Sequence, residues 1–467
     1  MTHRRTPRTS RKEIRARLWA VQQLATLRLP DQRLAVRGVR FLVQMALRPA
    51  DSILQGARTP ADAKGCYRFL ENTRVSARPH WDAIHDHTAQ GLVGLPCAVS
   101  VQDTTALMFP TLRATTGLGT ADRPREEALW MHSALVLRPD GHPVGLLHNH
   151  VWARPLPEFG KGHLRKARPF EDKESFEWVR GMRRTTKLRD RWSPKTRLVH
   201  VFDSAGDVHE VLAEVVASGD DAVVRSGRDR CVAGEQGLLR ATVAAAPLLH
   251  RKRIAVPRKE GQRKRMATLE VRTAPVTITP SSAYPTREAL AVRAVWVHEA
   301  EPPPGVEGLD WLLVTTLPVD TVKQALRVIE LYRLRWRIEE FHLVLKSGCR
   351  LEATQLKTAA RIETLLALLC AVAVRVLQFT HLARLEPDAP CTVMLGEDEW
   401  RVLVAYSEQR AVAVGRAPPS LREAVRLIGR LGGHLGRKGD GMPGVRSLWR
   451  GWRDLCLLVE GYRAAQL

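Results

Sequence analysis

Two short apolar runs, AVSVQ (Ala98–Gln102) and LVHVF (Leu198–Phe202), each run directly into an aspartate, Asp103 and Asp203. Their length and β-branched content read as strands. Between them, SALVLRP and PVGLLHNHVW flank the turn pair Asp140-Gly141 and read as a hairpin. After Asp203, VLAEVVAS reads as a helix and AVVRS as a further strand. Strands and helices in this order predict an α/β core. Acids at strand ends can converge on one edge of a sheet, where loops leave room for a substrate. The triplet His148-Asn149-His150 offers imidazoles, but it sits between apolar GLL and VW and reads as the end of a strand.

The flanks differ in texture. Residues up to about 80 read as helical and basic, with Arg4, Arg5, Arg8, Arg11, Lys12, Arg15 and Arg17 leading into RGVRFLVQMAL. A helical bundle presenting arginines to a DNA duplex is the expectation for this segment, with a frayed, solvated tail the plainer alternative for its first dozen residues. Between about 226 and 318, basic clusters (Arg251-Lys252-Arg253, Arg258-Lys259, Arg263-Lys264-Arg265) alternate with β-like runs such as ATLEVRTAPVTIT and AVRAVWVHE. That pattern predicts a β-rich insertion with cationic loops. From about 319 the chain turns helical again, and from about 395 helices are interrupted by the glycine-rich LGGHLGRKGDGMPG.

Charge narrows the partners. The chain has 73 Lys and Arg against 49 Asp and Glu, a net +24, which favours a polyanion, with nucleic acid the first candidate. No membrane partner is expected: the longest apolar run, Leu365–Val374, is too short to span a bilayer and runs into Arg375. MTHRRTPRTSRK leads into no apolar signal core. Seven scattered cysteines, none spaced as CxxC, read as reduced thiols of a cytosolic protein without a zinc module.

The fifteen residues YRLRWRIEEFHLVLK, Tyr332 to Lys346, carry the chemistry. On a helix, Tyr332, Arg335, Glu339 and Lys346 would fall within roughly 60° of one another. One face then presents an acid between two cations and a phenol. A solvated face laced with ion pairs such as Arg335–Glu339 is the plainer alternative. Asp103, Asp203 and Glu339 brought to one point would repel each other unless a cation neutralised them. Oxygen-only ligands suit Mg²⁺ or Mn²⁺, and two such ions roughly 4 Å apart serve phosphodiester displacement. In a chain with 49 acids, that triad is one of many that could be drawn.

The spacing Tyr-x2-Arg-x3-Glu-x6-Lys, filled by Tyr332, Arg335, Glu339 and Lys346, resembles the signature of bacterial insertion-sequence-four family DDE transposases. The wider string WRIEEFH is similar to that of its Tn-five-like members. QDTT (Gln102–Thr105) resembles the family's first-aspartate motif and FDSAGD (Phe202–Asp207) its second, although Ser204 and Ala205 stand where the family often has Arg-Glu. VVRS (Val223–Ser226), YRFLEN from Tyr67, LGG and LWRGW match further landmarks.

The resemblance implies three parts: an N-terminal helical DNA-binding domain (1–80), an RNase H-like mixed-sheet catalytic domain (81–385) carrying the β-rich insertion, and a C-terminal helical dimerisation domain (386–467). It implies that Asp103, Asp203 and Glu339 are catalytic metal ligands, with Mg²⁺ or Mn²⁺ as cofactor, two ions in number. Tyr332, Arg335 and Lys346 become phosphate contacts, and Trp336, Arg225 and Arg253 further DNA contacts. Trp311 either helps hold a flipped base or is a core residue at a strand start. Leu343 stands where a further lysine is expected, so one phosphate contact is absent or supplied elsewhere. The implied activity is cut-and-paste transposition through a hairpin intermediate, on double-stranded transposon ends and target DNA, by a homodimer in a synaptic complex. The implied setting is bacterial, cytoplasmic and nucleoid-associated. The alternatives are a non-catalytic end-binding regulator and an RNase H-like nuclease without strand transfer.

Overall fold

The computed structural model describes residues 11–122, 126–155, 168–256, 265–280, 287–412, 415–437 and 440–466. The predicted cationic positions Arg4, Arg5, Arg8, Arg258, Lys259, Arg263 and Lys264 lie outside the described residues. Five helices lead: α1 (Arg11–Gln23), α2 (Gln32–Leu47), α3 (Ile53–Gly56), α4 (Pro60–Glu71) and α5 (Ala77–Gln90). Local chemistry sets their starts. Asp31 accepts from the Arg33 N–H at 2.8 Å ahead of α2. Thr59 accepts from Asp62 ahead of α4, whose first residue, Pro60, lacks the N–H that a helix start leaves unpaired. Helix α2 buries Phe41, Leu42 and Met45 and sets Phe41 edge-on to Phe69 of α4, centroids 6.2 Å apart.

The basic lead is not all free for DNA. Lys12 pairs with Glu399, Arg15 donates to the Thr392 carbonyl, and Arg375 lies 4.6 Å over the Trp19 ring. These contacts dock α1 on the C-terminal part of the chain. Arg11, Arg17, Arg33 and Arg40 remain exposed.

The middle of the chain runs β1 (Cys97–Met108), β2 (Gly119–Thr120), β3 (Glu127–Leu137), β4 (Pro143–Trp152), α6 (Phe176–Trp192), β5 (Arg197–Phe202), α7 (His209–Ser218) and β6 (Asp221–Arg225). Then come α8 (Leu239–Ala245), β7 (Leu248–Val256), β8 (Arg265–Ile278), β9 (Leu290–Glu299) and β10 (Asp310–Thr315). Among the described residues, all ten strands join one sheet in the order β2-β3-β1-β5-β6-β10-β9-β8-β7, with β4 on β3. Strands β1, β5 and β6 are parallel, and the β3–β4 hairpin is antiparallel to β1 and turns at Gly141 with φ +86°. This mixed core, β4-β3-β1-β5-β6, is RNase H-like.

Two strand expectations need correction. Asp103 does not end a strand: β1 continues to Met108, paired residue for residue with β3 from Val99↔Leu137 to Met108↔Ala128. The polar pair Thr104-Thr105 hides that continuation, although threonine suits a strand. The predicted insertion does contain four strands, but they extend the core sheet, with β10 hydrogen-bonded antiparallel to β6.

The helical part that follows comprises α9 (Val322–Arg333), α10 (Trp336–Leu343), α11 (Ala359–Leu385), α12 (Glu397–Glu408), α13 (Leu421–Leu431) and α14 (Val445–Ala464). Alternation splits each inner strand between two layers. Val99 and Val101 of β1 and Val199 and Val201 of β5 share a core with Ile338 and Phe341 of α10 and the buried face of α11. Phe202 instead joins Trp178 and Met182 of α6 and Val211 of α7 on the other face. Helix α11 is long and apolar enough to cross a membrane, but 72% of its apolar window is buried inside the protein, as in a core helix.

The stretch from Tyr332 to Lys346 is not one regular helix, contrary to expectation. Between α9 and α10 the ladder tightens to three-residue steps, with Arg335 N–H donating to the Tyr332 carbonyl (3.0 Å) and Ile338 N–H to the Arg335 carbonyl (3.2 Å). After Leu343 it loosens into a π-helical turn, Val344–Gly348, closed by Cys349 N–H donating to the Val344 carbonyl at 2.7 Å. Such departures in the ladder frequently mark functional sites.

Candidate active site

The parallel pairing of β1 with β5 sets the first two acids. The last paired residues are Val101 and Val201, and Asp103 and Asp203 each stand two positions further on. They therefore lie at one level of neighbouring chains, which run about 4.8 Å apart where paired. Asp103 shares the sheet face of Val101, the face against which α10 packs. Asp203 caps a short 3₁₀ turn, accepting from the Ala205 N–H at 2.8 Å.

Electrostatics ties the third acid to this pair. Burial, and then the neighbouring Asp203 carboxylate, push Asp103 up to about 7. Glu339 adds to that rise, against the Thr104 N–H, which donates to Asp103 at 2.7 Å, and the Arg335 charge. Glu339 itself is paired with Arg335 at 2.5 Å. Burial works against the Arg335 charge, yet Glu339, Tyr332 and Asp203 together raise its pKa. The three carboxylates thus share a neighbourhood without closing on one point. Among the described residues, no three His, Cys, Asp or Glu side chains are grouped tightly enough to hold an ion. The donor set is all oxygen, which fits a hard divalent cation, and the mutual repulsion felt by Asp103 is what such a cation would relieve.

The surrounding cations and aromatics are mostly in place. Lys346 lies in the π-helical turn; burial lowers its pKa, and Glu352 and Asp103 counter that. The Tyr332 phenol is buried, which raises its pKa, and lies within the field of Arg335, Arg225 and Asp203. Trp311 meets Tyr332 edge to face with centroids 5.3 Å apart and is only partly buried, so it serves the core and keeps some ring surface open. Trp336 is 57% exposed. Arg253 is not brought to the site: it lies exposed on β7, four strands along the sheet from β6.

His148, Asn149 and His150 sit in β4, as expected of a strand. The Asn149 amide oxygen accepts from His85 Nε2 (3.1 Å) and its amide nitrogen donates to Ser133 (2.9 Å), while His150 pairs with Glu177. Sequence reasoning missed two supports. His132 bridges Gln102 and Thr104, the neighbours of Asp103, at 3.0 and 2.8 Å, with burial holding its pKa down to about 3. Glu352 accepts from the Met108 N–H at 2.8 Å and so ties the end of β1 to the segment after Lys346. The QDTT string held a signal for the first, in polar residues on both sides of the acid.

Known families match the chain in the same order as these parts. The model described as Transposase DNA-binding covers residues 16–75, Transposase DDE domain residues 153–375, and Transposase Tn5 dimerisation domain residues 371–467. The chain belongs to the Tn5-like DDE transposases, metal-dependent enzymes that act on DNA. Its partners are accordingly DNA and a second copy of itself. Asp203 and Glu339 fall inside the matched DDE range, whereas Asp103 precedes it.

Proposed function

We propose that this chain binds the ends of a mobile DNA element, cuts them at a site formed by Asp103, Asp203 and Glu339, and joins the freed 3′ ends to target DNA. The observation that supports this most is the common level of Asp103 and Asp203 on neighbouring strands, on the side of the sheet covered by the helix of Glu339. Bound Mg²⁺ or Mn²⁺, two ions in number, would supply an acidified attacking water and countercharge for the leaving oxygen.

The chain's own residues do the rest. Arg335 and Lys346 flank the acids and take phosphate oxygens, and an Arg335 drawn to phosphate releases the Glu339 carboxylate. Tyr332, beside Arg225, offers its hydroxyl to the same backbone. The open part of the Trp311 ring can receive an extruded base: flipping costs a few kcal/mol and stacking on an aromatic ring returns about 1–3 kcal/mol. Nicking, hairpin formation by the freed 3′ hydroxyl, hairpin opening and joining are all phosphoryl displacements, so one set of residues can serve each in turn. We assign end recognition to residues 1–80, chemistry to 81–385 and dimerisation in a synaptic complex to 386–467, in a cytoplasmic, nucleoid-associated protein.

The test uses full-length protein, matched end duplexes and Mg²⁺. Wild type should give nicked, hairpin and strand-transfer products, and Glu339→Gln should shift the DNA without cutting it. Cleavage by the variant would remove Glu339 from the site, and cut ends without joined products would leave only a nuclease.

A further inference from the structure

A cavity of about 570 Å³ opens beside the turn that carries Lys346. Its apolar floor is Ala50, Leu343, Val344 and Val445; its polar wall is Ser347, Arg350, Arg446, Arg450 and Arg453, with Trp449 and Gly348 between. Among the described residues, no carboxylate lines it. Of the acids close by in sequence, Asp51 pairs with Arg48 and feels the Arg350 charge beyond ion-pair distance, and Asp454 pairs with Arg453. Among the described residues, Arg350, Arg446 and Arg450 have no carboxylate within ion-pair distance, and all three are exposed. Helix α14 starts at this wall with no side-chain cap on its first N–H groups, which adds positive potential. Unpaired arginines at one place repel one another, so an anion there removes a cost.

The second observation is aromatic. The Trp449 indole is half-buried and lies against Gly348 so closely that a Cβ there would come 3.0 Å from ring atoms. Glycine at 348 lets the ring lie flat along the π-helical turn, beside an apolar floor. A planar aromatic surface next to a cluster of free guanidinium groups suits a nucleotide, with phosphate on the rim and base inside. The volume lies in the range of pockets that hold ligands of nucleotide size.

We propose that this cavity seats one nucleotide of the DNA strand held at the candidate active site, with phosphates on Arg350, Arg446 and Arg450 and the base against Trp449. The position on the strand follows from the fold. Ser347 lies eight residues beyond Glu339, at most about 12 Å along the axis, since the α-helical rise of 1.5 Å per residue is an upper bound through the π-helical turn. A DNA strand advances about 3.4 Å per nucleotide, so the seated unit is within about three or four nucleotides of the carboxylates. The proposal rests on the DNA-cutting reading above and adds a strand contact from the C-terminal helix to it.

The test is photocrosslinking of full-length protein to end duplexes taken from the inverted repeats beside its gene. 5-Iodouracil is placed at one strand position at a time, and crosslinked peptides are mapped by mass spectrometry. The peptide containing Trp449 should crosslink only from positions within about three or four nucleotides of the cut end. Arg446→Ala/Arg450→Ala should abolish that crosslink and reduce the log–log salt slope of binding by about 1.8, with crosslinks to Tyr332–Lys346 retained. The corresponding double lysine variant should restore the slope, and unchanged thermal melts would show that both variants fold. No crosslink to Trp449 from any position, or an unchanged salt slope, with Tyr332–Lys346 crosslinks intact, overturns the proposal and leaves the DNA-cutting reading standing. Loss of crosslinks to both regions in the wild type overturns both. Equal protection of the Trp449 peptide by free deoxynucleotide in the absence of duplex overturns the strand as occupant.

Discussion

Replacing Asp103 with Asn should stabilise the protein at alkaline pH while abolishing cleavage. In the folded chain Asp103 is pushed up to about 7, first by burial and then by Asp203, from an ordinary aspartate value near 4. The folded state therefore keeps this proton to about pH 7, whereas the unfolded chain releases it near pH 4. The stability that this difference represents is fully present below about pH 4 and is lost as pH rises through 7. About three pKa units correspond to a ceiling of roughly 4 kcal/mol. The carboxylate is only partly buried, so solvent screening brings the expected figure to about 2 kcal/mol. Asn cannot ionise and removes the repulsion with Asp203 and Glu339. In thermal melts without divalent cation, Asp103→Asn should lie above wild type at pH 8, with a gap roughly three times that at pH 5. Adding Mg²⁺ should raise the wild type and leave the variant nearly unmoved. A gap that is absent, or equal at the two pH values, would refute the view that these acids crowd one site.

Three further outcomes follow from the same geometry. Arg335→Ala removes the ion partner of Glu339, so Mn²⁺ affinity of the DNA-free protein, followed by calorimetry, should rise while end-duplex affinity falls. Lys346→Ala should weaken end binding and lower hairpin yield at unchanged melting temperature, with normal hairpin yield counting against a phosphate contact. Gly451→Ala should destabilise the C-terminal helices by more than the roughly 1–3 kcal/mol of ordinary overpacking, because its Cβ would lie 1.7 Å from the Ile428 carbonyl oxygen. Size-exclusion light scattering should then show monomer where the wild type is dimeric.

Much of this fold could be read locally. Leu198–Phe202, the hairpin around Gly141 and α7 each carry their signal within a few residues, in β-branched alternation, a turn pair or helical periodicity. The features that were missed depend on partners distant in sequence. Nothing near Thr104-Thr105 tells that β3 will pair with β1 through to Met108. The break at Leu334-Arg335 has no glycine or proline to mark it. The insertion's strands gave no sign that β10 would dock on β6, and so none that Arg253 would end up on an outlying strand. Lys12 and Arg15 read as free cations because Glu399 and the Thr392 carbonyl are nearly 400 residues away. The candidate site was legible because its acids follow apolar runs and its cations keep helical spacing, which local chemistry preserves even where the helix is broken.

Iron-directed cleavage would test the shared cation site most directly. Fe²⁺ substituted for Mg²⁺ in the protein–DNA complex, with peroxide and a reductant, cuts the polypeptide only near the bound ion. Cuts should appear together beside Asp103, Asp203 and Glu339, compete away with Mg²⁺, and vanish in Asp203→Ala. Cuts at one or two of these segments alone, or cuts insensitive to Asp203→Ala, would contradict a common cation site.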